Sequence, residues 1–254
     1  MKSLLIITFL LTFYSCLTKT KQAQSTLKVD NKNSFYQAFE QHFKYIDSVR
    51  KTTPDLIEGE NLKIQQSINY FKKDILNLTD SIDYGGLYIV KSTDKKLCLI
   101  SWDTRMGGTM IEFATMAIFQ TSSGDTISKI LFDTSESPIG NTLMHYDNLY
   151  SIQNADKTIY IAHGFGQGST ILQWQELRAF QILNKELINP NIFPEQKPNL
   201  FIEFDTQKLK REEIPMILLT DSGKTISLPI LNEMESFSGK YQNLVFHNGI
   251  YKIK

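Results

Sequence analysis

The first apolar pattern in the chain is a nearly unbroken run over residues 4–13, preceded by Lys2 and followed by Ser15 and Cys16. A positive start, an apolar run of this length and a small residue before the break are typical of an export signal. A permanent membrane-spanning helix would need a longer run, of roughly 20 residues. We therefore predict a signal peptide over residues 1–15.

The small residue directly before Cys16 resembles the lipobox of bacterial lipoproteins, in which the cysteine is lipidated and becomes the new N-terminus. Phe13 stands where Leu is usual, as in the looser lipoboxes of Bacteroidota. The alternative is an ordinary secretory signal with a chance cysteine. Residues 16–33 are polar and predict a flexible tether behind the lipidated Cys16. Leu17 in place of Asp, and the lack of an acidic cluster, favour the periplasmic face of the outer membrane.

Helical periodicity begins at Ser34, where apolar residues recur at steps of three and four and end before Pro54. A second helical stretch runs from about Asn61 to Leu78. The pattern therefore predicts a helical segment over residues 34–82. The apolar positions of the first helix are Phe35, Phe39, Phe43, Ile46 and Val49; those of the second are Leu62, Ile64, Ile68, Phe71, Ile75 and Leu78.

Beyond residue 83 the chain consists of short apolar runs separated by turn signals, which predicts a mainly β, antiparallel body over residues 83–254. In the first part we expect strands at 87–91, 97–103, 109–120 and 126–133. Asn248 and Gly249 between apolar runs predict a final β-hairpin.

The β body also shows internal similarity, which predicts two to three four-stranded repeats of about 62–67 residues. A fainter third copy begins at Lys224, Thr225 and Ile226. The repeat leaves three architectures open: propeller-like, sandwich or barrel. A shift of 62 residues places Tyr84, Leu87, Tyr88, Asp94 and Lys95 on Tyr146, Leu149, Tyr150, Asp156 and Lys157.

Charge and composition narrow the choice of partners. Lys plus Arg and Asp plus Glu number 27 each, and no clustered basic face is evident, so we expect no nucleic-acid partner. With lipid on Cys16, the second cysteine, Cys98, has no disulfide partner in the chain and is interpreted as a small core residue.

No catalytic or metal-binding signature is present in the sequence. The four histidines stand far apart, and there is no zinc-binding spacing, no nucleophile elbow and no phosphate-binding loop. We therefore predict no catalytic residue, no metal and no cofactor, and we favour a protein without enzymatic activity.

Two Gly-rich polar loops at equivalent repeat positions are the candidate ligand-binding sites: residues 102–108 and 163–169. Asp103 and Arg105 are suited to grip a polar ligand, and Trp102 and Phe165 to stack on a ring. The alternative is that the glycines permit tight turns and that Asp103 bonds its own backbone. The candidate residues are Trp102, Asp103, Arg105, His163, Phe165 and Gln167.

The segments 96–110 and 239–251 resemble uncharacterised lipoproteins of the Bacteroidota type, a resemblance that implies no activity. The leading hypothesis is a cell-envelope lipoprotein, held to the membrane at Cys16, whose β body binds a protein or glycan without catalysis. The alternative is an envelope hydrolase using Asp103 and Glu176, although Glu176 and Arg178 are also explained as solvated partners on one sheet face. A third hypothesis is a purely structural lipoprotein.

Overall fold

The structure is a computed structural model that describes residues 31–78, 82–84, 86–131, 144–209, 214–232 and 237–254. The predicted signal peptide, Cys16 and most of the predicted tether lie outside the described residues. Two N-terminal helices precede a body of antiparallel sheets, which confirms the prediction of a mainly β fold.

The two helices, α1 (Asn31–Val49) and α2 (Leu56–Leu76), form an antiparallel pair joined by a turn around Pro54. Helix α2 begins five residues earlier than predicted, because Ile57 belongs to its buried stripe. Leu62, the first apolar position of the predicted second helix, is only partly buried. The residues of α2 that continue the stripe are Ile64, Ile68 and Ile75.

The first sheet contains β1 to β5 in sequence order. Its fourth strand begins at Phe113 instead of residue 109, because the segment before it folds back: both the backbone N–H and the hydroxyl of Thr104 donate to the Glu112 carbonyl. The strands are β1 (Ile82–Tyr84), β2 (Leu87–Lys91), β3 (Leu97–Asp103), β4 (Phe113–Gln120) and β5 (Thr126–Leu131).

The second sheet has the order β10-β8-β7-β6, with β9 paired to the far end of β8, and the third has the order β11-β12-β13-β14. The predicted final hairpin is confirmed: β13 and β14 pair across Asn248 and Gly249, both with positive φ. The second-sheet strands are β6 (His145–Asn154), β7 (Lys157–Gln167), β8 (Leu172–Leu183), β9 (Glu186–Ile188) and β10 (Asn199–Asp205). The third-sheet strands are β11 (Leu218–Thr220), β12 (Thr225–Leu231), β13 (Phe237–His247) and β14 (Ile250–Ile253).

The helices and the three sheets stack as successive layers with an apolar core between each pair. Cys98 and Trp102 lie in the core between the helices and the first sheet, Trp174 between the first two sheets, and Phe193 between the second and third. Strands β3 and β4 are therefore buried on both faces, which explains why they lack alternation. Of the three predicted architectures the stack is sandwich-like; the described sheets are open and form no closed barrel.

The predicted repeat is not confirmed at the level of strand register. In the first sheet Val90 pairs with Leu99, so a shift of 62 would pair Ile152 with Ile161; instead Ile152 pairs with Ile159. The difference arises because β6 and β7 are joined by a two-residue turn, whereas the longer connection between β2 and β3 is closed by the side chain of Asp94. The three sheets follow one another along the chain without matching strand for strand.

Candidate ligand-binding site

Trp102, the first residue of the first candidate loop, lies in the core beneath the helices and is fully buried. Its indole N–H donates to Oδ1 of Asn61 on α2 at 2.8 Å. The amide of the same Asn61 donates to the carbonyl of Thr104 at 2.9 Å. Helix α2 therefore covers this end of β3. Trp102 has no exposed surface on which a ligand could stack, so that expectation is wrong.

Asp103 and Arg105 bond to each other. The Arg105 backbone N–H donates to Oδ1 of Asp103 at 2.8 Å, and its guanidinium contacts Oδ2 at 2.6 Å. Asp47 of α1 lies 3.7 Å from the same guanidinium. Asp103 thus organises its own turn, as in the alternative interpretation, and the charge of Arg105 is already matched by protein carboxylates.

The second predicted loop is wrong for residues 163–167, which continue β7, and His163 is a buried structural residue of that strand. Its Nε2 lies 3.2 Å from Oε1 of Gln175, and burial lowers the His163 pKa to about 4, so the ring is neutral at pH 7. Oε1 of Gln175 accepts the backbone N–H of Ile217, and its amide donates to the Pro215 carbonyl. Together these bonds fasten β8 to the segment that leads into the third sheet.

Phe165 and Gln167, by contrast, line a cavity of about 410 Å³ at the end of the second sheet, here called the aromatic cavity. Tyr88 and Phe113 come from the first sheet, and the other aromatic and imidazole residues of the lining come from the second. The aromatic and imidazole side chains that line it are Tyr88, Phe113, His145, Phe165, Trp174 and Phe204.

Four of these rings form a chain of contacts centred on His145, here called the aromatic wall. Tyr88 stacks on His145 with ring centroids 4.0 Å apart, and Phe113 lies 5.0 Å from the same imidazole. Phe165 continues the wall at 6.2 Å. Contacts of this kind are favourable beyond simple area burial, so the wall is held in place before any ligand arrives.

The polar lining of the aromatic cavity includes three glutamine amides: Gln167, Gln173 and Gln175. Gln167 and Gln173 are directly paired across β7 and β8. No Asp, Glu, Lys or Arg is among the described residues that line the cavity. Its chemistry is therefore that of an uncharged pocket with an apolar wall and an amide rim.

The cavity lies at the end of β7, beyond the described pairing of β7 with β6. Strand β6 pairs with β7 only as far as His145 opposite Phe165, so the last residues of β7 extend beyond it. A Cβ on Gly168 would sit 2.8 Å from the Trp174 ring. Gly168 does not adopt a left-handed conformation, so it is needed here for close approach of the ring rather than for a tight turn.

Glu176 and Arg178, predicted to be solvated partners, instead lie between the first two sheets, where Glu176 is only 2% exposed. Their side chains form an ion pair. The adjacent Tyr146 hydroxyl has its pKa raised, first by burial and then by the negative charge of Glu176. Asp103 and Glu176 each have an arginine partner and neither lines the aromatic cavity, so the geometry gives no paired carboxylates there.

Most of the cavity was not predictable from the sequence, because its residues are far apart in the chain and meet only when the sheets stack. One signal was present: after a one-residue slip the repeat continues at a shift of 61, which places Phe113 opposite Trp174, and both line the cavity.

Metal-binding clusters, membrane-spanning helices and known relatives give no further assignment of function. Within the described residues no group of three or more His, Cys, Asp and Glu side chains is placed to hold a metal ion. Among the described helices none is long and apolar enough to cross a membrane. Comparison of the chain with protein-family models, curated proteins and solved structures gives no match.

Proposed function

We propose that the protein is a cell-envelope lipoprotein, anchored through Cys16 at the periplasmic face of the outer membrane, whose β body is a non-enzymatic binding module for a glycan or protein partner. The observation that carries the binding function is the uncharged aromatic cavity at the end of the second sheet. Support for the anchor is the signal-like run before Cys16 and the polar tether after it.

The size and lining of the aromatic cavity support binding. Small-ligand sites usually enclose about 300–1,000 Å³ and combine an apolar lining with a few placed polar groups. The cavity has about 410 Å³, a wall of rings and a rim of amides. A partner would insert a sugar unit or an apolar side chain against Tyr88, His145 and Phe165.

The hydrolase alternative has less support. Acid–base chemistry on a glycan needs two carboxyl groups facing the same bond. Glu176 is buried and paired with Arg178, and Asp103 is paired with Arg105. No carboxylate is among the described residues that line the aromatic cavity.

The anchor is tested by growing cells with an alkyne-labelled fatty acid and comparing wild type with Cys16→Ala. The proposal expects labelled wild-type protein in the membrane fraction and unlabelled, soluble variant. Equal labelling of the two proteins would contradict anchoring at Cys16.

The binding function is tested by thermal shift of the full-length protein against envelope glycans and envelope protein fractions. The expected stabilisation is lost in Phe165→Ala and kept in Arg105→Ala, the matched change in the first loop. Specific turnover of any of these substrates, or stabilisation lost only in Arg105→Ala, would overturn the proposal.

A further inference from the structure

We infer that the aromatic cavity binds a neutral saccharide, with a sugar ring stacked on its aromatic wall and the sugar hydroxyls bonded to Gln167 and Gln173. This inference rests on the proposed function, since it takes the cavity to be the binding site. What it adds is the chemical class of the ligand.

The aromatic wall fits one face of a sugar ring. A pyranose presents a patch of C–H groups on one face and hydroxyl groups around its edge. Tyr88, His145 and Phe165 present ring surface from two sheets, and Trp174, which is 6% exposed, adds a largely buried ring to the lining. Flat apolar surface of this kind buries the C–H patch while the ring edge stays accessible to polar partners.

The amide rim fits the hydroxyl groups. Each amide carries two donors and an acceptor oxygen, and a sugar hydroxyl both donates and accepts. Gln167 and Gln173 are partly exposed, lie opposite each other, and make no side-chain hydrogen bond to the described part of the protein. Gln175, in contrast, is engaged by His163, Pro215 and Ile217. Two of the three amides are therefore available to a ligand.

The charge of the lining argues against ionic ligands. A buried phosphate, carboxylate or ammonium group needs a counter-charge to replace its hydration. The described lining residues include none, and Glu176 behind them is neutralised by Arg178. A neutral ligand avoids this cost.

The amide rim argues against a purely aliphatic ligand. A hydrocarbon chain that filled the cavity would strip water from Gln167 and Gln173 without replacing their hydrogen bonds, which is unfavourable. The volume of about 410 Å³ accommodates a mono- or disaccharide. A ligand that is neutral, rich in hydroxyl groups and apolar on one face satisfies all of these features together.

The test uses the two tryptophans of the chain. Trp174 lines the cavity, whereas Trp102 is buried beneath the helices, so Trp102→Phe leaves Trp174 as the only reporter. The full-length variant is reconstituted in phosphatidylethanolamine–phosphatidylglycerol vesicles, which carry no sugar-headed detergent. Its emission is titrated with maltose and N,N′-diacetylchitobiose, and in parallel with glucuronate, glucose phosphate, choline and octanol.

We expect a saturable change in Trp174 emission with at least one neutral disaccharide and a weaker response to the other four compounds. Gln167→Leu and Gln173→Leu should each weaken saccharide binding about tenfold through loss of hydrogen bonds. Gln120→Leu is the matched control, because Gln120 is exposed at the end of β4, outside the cavity. It should leave the affinity unchanged.

The contradicting outcomes separate the two proposals. Tighter binding of choline, glucuronate, glucose phosphate or octanol, reported by Trp174, would overturn the saccharide while keeping the cavity as the binding site. Saccharide binding that is unaffected by either leucine variant would also overturn the inference. If no compound of any class alters Trp174 emission, and thermal shift gives no hit that depends on Phe165, both the inference and the proposed binding site fail.

Discussion

The two candidate loops, residues 102–108 and 163–169, lie at the end of the second long strand of their sheets, with most of the second inside β7, and their surroundings differ. The first is covered by the helix pair: Asn61 bonds Trp102, and Asp47 approaches Arg105. Neither described helix packs over the second, and Phe165 and Gln167 border the aromatic cavity. Helix cover removes Trp102 from solvent, but Arg105, Met106 and Gly107 still line a polar cavity of about 390 Å³ beside the helix turn. The two loops therefore differ in the kind of cavity that they border: polar and partly charged at the first, aromatic and uncharged at the second.

The comparison also separates two roles for aromatic residues that look alike in sequence. Trp102 and Phe165 both lie near Gly-rich loops, but Trp102 has no exposed surface and its N–H is satisfied within the protein. Phe165 is only partly buried and faces open volume. A ring with a satisfied polar atom and no exposed surface supports the fold, whereas a partly exposed ring in a wall of rings is suited to binding.

The largest effect should come from removing Trp102. Trp102→Ala leaves a cavity in the core beneath the helices and is expected to lower the free energy of unfolding by about 3–5 kcal/mol. Urea denaturation followed by far-ultraviolet circular dichroism measures it. A loss smaller than that caused by Phe165→Ala would contradict the contrast between the two loops.

The cover itself is tested at Asn61. Asn61→Leu strands the buried Trp102 N–H and the Thr104 carbonyl without partners, and we expect a loss of about 2–4 kcal/mol in unfolding free energy. Gln66→Leu is the control, because Gln66 is exposed on the same helix and should change stability by less than about 0.5 kcal/mol. Equal effects of the two substitutions would remove the structural role of Asn61.

The dependence of the unfolding free energy on pH tests the burial of His163 in β7. Burial lowers the His163 pKa to about 4 from its ordinary 6.5, so the unfolded chain takes up this proton first as the pH falls. The stability contribution is therefore complete above pH 6.5 and is lost between pH 6.5 and about 4. Asp147 opposes it: burial raises its pKa to about 6, and its contribution is lost as the pH rises through that value.

His163→Gln isolates the histidine contribution. Between pH 7 and pH 4 the wild type should lose about 2–3 kcal/mol more of its unfolding free energy than this variant, by urea denaturation at several pH values. His247→Gln, at an exposed histidine of β13, is the control and should follow the wild type. Parallel curves for wild type and His163→Gln would show that the imidazole is not buried in its neutral form.

The smallest effect is expected at Arg105. Its ion pair with Asp103 is partly solvated, so Arg105→Ala should cost less than about 1 kcal/mol of unfolding free energy and leave ligand affinity unchanged. Calorimetry and the thermal-shift assay report the two quantities. A large loss of affinity in this variant would return the binding site to the first loop.

The general fold was predictable because periodicity records local structure. The helical steps around Phe39 and Ile64, and the turn signal at Asn248, lead directly to elements seen in the structure. The predicted start of the fourth strand at residue 109 was wrong. A Gly-rich polar segment can either extend or fold back, and the sequence does not distinguish the two. Only the bonds of Thr104 to Glu112 decide it.

The site was predictable only in part because burial depends on stacking between distant segments. Phe165 and Gln167 were identified from loop composition, and both line the cavity. Trp102 belongs to the same pattern but is covered by α2, which lies about 40 residues earlier in the sequence. Tyr88 and His145 gain their role by meeting across two sheets, a contact that neither local sequence indicates.

The most direct test of the contrast between the loops is amide hydrogen exchange of the full-length protein with and without a saturating saccharide ligand. We predict that the saccharide slows amide exchange in residues 163–168 and 172–174 and leaves it unchanged in residues 102–107. Protection confined to residues 102–107, or spread equally over both loops, would contradict it.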